Sequence, residues 1–165
     1  MTRKQFYAAV TAMILAAAIV IWTTAGASDR PIRCWVMCKP GTQVNVRRTP
    51  EKKGQVVGYM EVGDDFRTTG ESKNGFIRAE GIGEYGEAWI YCGYVVTEEP
   101  ERIGERYVCT SNGRVACRRW MNGPQVSGRP WITNGSSVDV FYMADGWAVT
   151  SRGYIRAEWL EVYAE

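Results

Sequence analysis

A chain of 165 residues has room for one ordinary domain or two small ones. With 45% hydrophobic and 23% charged residues its composition is globular, which excludes an intrinsically disordered chain. Residues 1–27 hold two of the 20 basic residues and none of the 18 acidic ones, so the remainder carries 18 of each sign and has no overall pull on nucleic acid.

The first segment reads as an export signal. Arg3 and Lys4 precede 17 uncharged residues, Phe6 to Trp22, and Ala25-Gly26-Ala27 supplies a small-residue cleavage site. Cleavage after Ala27 is favoured; the alternative keeps 1–27 as an N-terminal anchor helix. Either places residue 28 onward outside, in the extracellular space or on the cell surface, with the membrane reached only through that segment.

From residue 35 the texture changes. Short runs of Val, Ile, Tyr, Phe and Trp are broken every eight to twelve residues by Gly-containing turns, and no helical period is sustained. Asn74-Gly75, Asn112-Gly113, Asn134-Gly135 and Asp145-Gly146 are hairpin signals, because both central residues tolerate positive φ. The charged, Pro-containing stretch around Thr97–Arg102 predicts a linker over 98–105.

The chain also repeats itself. Val44-Asn45-Val46-Arg47-Arg48 matches Val115-Ala116-Cys117-Arg118-Arg119 at an offset of 71, and Gly75-Phe76-Ile77 matches Gly146-Trp147-Ala148 at the same offset. Trp89-Ile90 and Tyr94-Val95 match Tyr154-Ile155 and Trp159-Leu160 at 65. About six extra residues therefore fall in the turn Glu80–Glu87 of the first copy, where insertions are tolerated. Two all-β copies predict two small barrels, over 36–97 and 106–165, that fold independently.

The first copy resembles the bacterial Src-homology-3-like family. The residues that carry this are Asn45-Val46-Arg47 with Pro50, Val56-Val57-Gly58, Gly75-Phe76-Ile77, and Trp89-Ile90 to Tyr94-Val95. The second copy looks like a diverged member, keeping Val115, Arg118, Pro124, Gly146-Trp147, Gly153-Tyr154-Ile155 and Trp159-Leu160 while Ala116 replaces the Asn. The resemblance implies two partly open barrels in tandem and recognition of a cell-wall peptide, glycan or other envelope ligand. It also implies that the strand Arg braces the neighbouring loop.

Chemistry is sparse. The chain has no His, so Ser–His and Cys–His devices are lacking. Asp64, Asp65, Glu80, Glu84 and Glu87 read as solvated loop charges, and Asn45 reads as a turn cap. No catalytic residue, metal site or cofactor is expected. The five cysteines leave at least one thiol over. A Cys38–Cys92 bridge across the first copy is one reading and small buried hydrophobes is the other. Asn112-Gly113 as a hairpin would set Cys109 opposite Ala116.

The aromatics are the best binding material. Phe76, Trp89, Trp147 and Tyr154 occupy repeated positions and read as core. Trp120, Trp131, Tyr85 and Tyr91 are the candidate ligand-binding residues. Trp120 either contacts ligand or plugs an open barrel end. The chain is thus read as an exported, non-catalytic binding module without nucleic-acid partners. The alternative is an envelope assembly factor whose barrels bind a protein.

Overall fold

The computed structural model describes residues 30–82, 86 and 88–162, and these are all-β apart from two single 3-10 turns. The segment read as signal or anchor lies outside the described residues. Among the described residues no helix is long and apolar enough to cross a membrane.

The first half contains β1 (Ile32–Val36), β2 (Val44–Arg47), β3 (Val56–Met60), β4 (Asp65–Thr68), β5 (Ser72–Lys73), β6 (Phe76–Ala79), β7 (Ala88–Tyr91) and β8 (Val95–Val96). They form two antiparallel sheets, ordered β4-β1-β8 and β3-β2-β7-β6-β5. Alternation makes the strands two-faced: Val44 and Val46 of β2 are buried while Asn45 and Arg47 between them are half-buried. The inward set, with Cys34, Val36, Phe66, Ile77 and Ile90, forms one apolar core.

The second half contains β9 (Glu101–Val108), β10 (Arg114–Ala116), β11 (Trp131–Thr133), β12 (Ser137–Ala144), β13 (Trp147–Thr150), β14 (Gly153–Arg156) and β15 (Leu160–Glu161). One sheet runs β14-β13-β12-β9-β15, the other pairs β10 with β11. Its core gathers Val108, Val115, Cys117, Ile132, Val140 and Ile155.

The pairing scheme occurs twice. Arg47 lies opposite Trp89, and Arg118 opposite Tyr154. Phe76 lies opposite Tyr91, and Trp147 opposite Arg156. Val36 lies opposite Val95, and Val108 opposite Leu160. β12 does in one continuous strand what β4 and β5 do in two, pairing first with β9 and then with β13.

A third apolar layer joins the halves. Met37 and Val96 pack with Met121, Ala144, Trp147, Val149 and Tyr154. Polar contacts run alongside. The Tyr154 hydroxyl donates to the Met37 carbonyl at 2.9 Å, the Thr97 amide to Asp145 Oδ2 at 2.7 Å, and Lys39 Nζ to the Ser151 carbonyl at 2.8 Å.

The segment 98–105 is accordingly no free linker. Glu98 accepts from the Asp145 amide at 3.1 Å, and β9 begins at Glu101 because its backbone pairs with β12 from Met143 onward. The first half likewise starts earlier than residue 36, since β1 begins at Ile32.

Two of the four turn signals close true hairpins. Asn74-Gly75 and Asp145-Gly146 have positive φ at both residues and join β5 to β6 and β12 to β13. Asn112-Gly113 and Asn134-Gly135 instead cross between sheets. Asn134 Oδ1 accepts from the Thr110 amide at 2.7 Å. Ala116 consequently faces Trp131, not Cys109.

All five cysteines are free thiols, so the Cys38–Cys92 bridge does not form. Cys38 Sγ faces its own loop and donates to the Thr42 carbonyl at 3.4 Å. Cys92 packs against the first core, with Cys34 among the groups acting on it.

Candidate functional site

A groove of about 550 Å³ opens where the two halves meet. Its floor is aromatic: Phe76, Tyr91 and Tyr94 from the first half, Trp120 and Tyr154 from the second. The rings form a connected edge-on series. Phe76–Tyr91 centroids are 5.3 Å apart, Tyr91–Tyr94 6.2 Å, and Tyr91–Trp120 5.6 Å with the planes at 87°.

Trp120 is half-buried, and its position has a backbone cause. A Cβ on Gly93 would lie 2.4 Å from Trp120 Cδ1, so only glycine lets the indole settle there. The adjacent Met121 amide donates to the Gly93 carbonyl at 3.1 Å, which fixes the loop of the second half against the first. Trp120 is thus both a wedge in the junction and a wall of the groove. It packs against the other half instead of plugging an end of its own barrel.

The rim is cationic. Lys39, Arg47, Lys52 and Arg119 line the groove, and none of the described lining residues is acidic. Arg47 is partly committed, donating to the Gly54 carbonyl at 2.6 Å, and Arg119 bonds the Ser127 hydroxyl. Arg118 repeats the Arg47 brace by donating to the Gly123 carbonyl at 2.6 Å. Thr42, Gln43 and Asn45 add neutral polar groups. Asn45 sits mid-strand on the groove and is not a turn cap.

Of the four candidate binding residues, Trp120 and Tyr91 come together here. Trp131 does not: it is 41% exposed on β11, with the Arg114 guanidinium 4.3 Å over its ring. Tyr85 lies outside the described residues. Phe76, Trp89, Trp147 and Tyr154 are buried, as their repeated positions predict. Sequence reasoning missed Tyr94, Lys39 and Lys52 as groove residues.

The acids read as loop charges are dispersed. Asp65 pairs with Arg33 at 2.8 Å on the exposed surface, and that hydrogen bond lowers its pKa from the usual carboxylate value. Asp64 Oδ2 accepts from the Glu61 amide at 2.7 Å, and Glu80 bridges Arg67 through backbone. Glu84 and Glu87 lie outside the described residues.

No family model matches the chain, and no curated protein does. The solved structures that overlap it include two NlpC proteins. NlpC2 from Trichomonas vaginalis does so at 16% identity and a TM-score of 0.33, covering 82% of this chain and 49% of that one. NlpC1 from the same organism does so at 17% identity and 0.33, covering 87% and 50%. The chain spans about half the length of these structures, and overlap at that score assigns neither fold nor activity.

Proposed function

We propose that the chain is an exported, non-catalytic binding module whose junction groove takes an extended acidic peptide of the cell-wall stem type. The observation that carries this reading is the groove's composition: an aromatic floor, four cations on the rim and no acid among the described lining. Aromatic rings accept apolar and peptide-plane faces with little conformational cost, and lysines and arginines favour carboxylates along the same ligand. The resemblance to bacterial Src-homology-3-like barrels supports an envelope ligand.

The test is co-sedimentation with purified peptidoglycan. The intact protein should pellet, and Trp120→Ala or Tyr91→Ala should weaken retention by about tenfold, the loss of one stacking contact. Protein that stays in the supernatant defeats the reading. Release of dye from labelled wall above a boiled control would defeat its non-catalytic part.

A second reading, an assembly factor that binds a protein, is favoured by β3. This strand is a sheet edge and exposes Val56 and Tyr59, the latter at 62%. Edge strands offer unpaired backbone to another chain. Cross-linking that captures a protein through β3, with no retention on wall, would select it.

A further inference from the structure

We infer that the second half carries its own ligand site, a small cationic groove that takes the terminal carboxylate of a short peptide. This does not rest on the reading of the junction groove. The cavity, of about 210 Å³, is lined by Arg114, Arg118, Arg156, Trp147, Trp159 and a Val115-Ala116 wall.

Its position is the first observation. Val44, Asn45, Arg47 and Phe76 line the junction groove, and the residues 71 positions later, Val115, Ala116, Arg118 and Trp147, line this one. Tyr91 and Tyr94 are followed 65 positions later by Arg156 and Trp159. The cross-strand pairs Phe76–Tyr91 and Trp147–Arg156 coincide in the same way. The two cavities are one location in the fold, present twice.

Its chemistry is the second. The aromatic pair of the first half, centroids 5.3 Å apart, becomes a cation–π pair, with the Arg156 guanidinium 4.2 Å over Trp147. Arg114 replaces Gln43 and is itself stacked on Trp131. Arg118 gives one nitrogen to the Gly123 carbonyl. No acidic residue is among the described lining. Arg156 gives one N–H to Asn122 Oδ1 at 3.4 Å, and a guanidinium has five N–H donors, so others remain for a planar, two-oxygen acceptor, which is the geometry of a carboxylate. The apolar wall and Trp159 suit a small aliphatic side chain beside it. The volume, less than half that of the junction groove, fits one terminal residue and not an extended chain.

The test uses the full chain and three probes: N-acetyl-alanyl-alanine as the free acid, its C-terminal amide, and inorganic phosphate. The free acid should shift the indole N–H resonances of Trp147 and Trp159, and the amide should bind about tenfold or more weakly, since a charge-assisted bond is lost. Arg156→Gln should weaken the free acid to the same extent, and Arg156→Lys should recover only part. Arg102→Gln, which removes an equal charge outside the groove, should bind as the unaltered chain does. If a thermal melt shows Arg156→Gln to be unfolded, Arg114→Gln takes its place and is held to the same outcomes. The proposal is overturned if amide and acid bind alike, if phosphate outcompetes the acid, if the folded glutamine variant binds normally, or if Arg102→Gln loses as much.

Discussion

Tyr154 has 1% of its surface exposed, yet it carries a hydroxyl to the Met37 carbonyl of the other half. Tyr154→Phe keeps the ring and leaves that carbonyl without this donor, so we expect a loss of about 1–3 kcal/mol in denaturant unfolding, with the strands intact by circular dichroism. The buried thiols give a pH signature. Burial pushes Cys34 and Cys92 from 9.0 to about 11. A thiol that holds its proton more tightly when folded contributes its full stability below 9.0 and loses it as pH climbs toward 11. Melting temperature should therefore fall across that window. The Cys34→Ala/Cys92→Ala double variant should flatten the fall in part, because Tyr154, also raised by burial, contributes in the same direction. An unchanged slope in that variant would refute the assignment. At this scale the sequence was informative where a side chain repeats, as with Phe76 and Trp147. It singled out Trp120 but not where the indole sits, because that seat depends on Gly93 of the other half.

The tight turns sort by what they connect. Asn74-Gly75 and Asp145-Gly146 lie between strands that pair with each other, so their dipeptide signal and their structure agree. Asn112-Gly113 and Asn134-Gly135 have the same dipeptide but lie between strands of different sheets, a difference set by long-range pairing that no local signal encodes. Gly75 and Gly146 also make a matched pair of probes. Both have positive φ, 78° and 70°. A Cβ on Gly75 would meet Tyr91 Cε2 at 3.3 Å, whereas one on Gly146 meets nothing within 4 Å. Each Gly→Ala change should cost about 1 kcal/mol of stability through backbone strain. Only Gly75→Ala should also displace Tyr91 and weaken wall retention. Equal retention by the two variants would remove Tyr91 from the groove's working surface.

The two-copy organisation was readable from offsets alone, but the relation between the copies was not. A charged stretch with a proline reads as a tether, and the apolar layer that overrides it draws on Met37, Val96, Met121 and Val149, which sit far apart in sequence. Because Met37 is fully buried in a layer shared by both halves, we expect Met37→Ala to cost about 2–5 kcal/mol and to lower the melt of the whole chain. Calorimetry of the intact protein should show one cooperative transition. Two resolved transitions, with Met37→Ala moving only the first, would mean the layer does not couple the halves.

The clasp of Thr97, Glu98 and Asp145 has a consequence for valency. Two sites on a slack tether search a broad range of separations, and each added residue of slack dilutes the second encounter. Here the joint is bolted on both sides of a short span, from Glu98 to Glu101, the first residue of β9. On the two binding proposals above, the cavities would act as marks on a ruler. A polymer whose acidic ends recur at the ruler's spacing engages both marks with little entropy left to lose, while one of any other period engages a single mark. Loosening the clasp, as in Asp145→Ala, should blur that choice: binding to the matched polymer falls, and the preference over mismatched ones narrows.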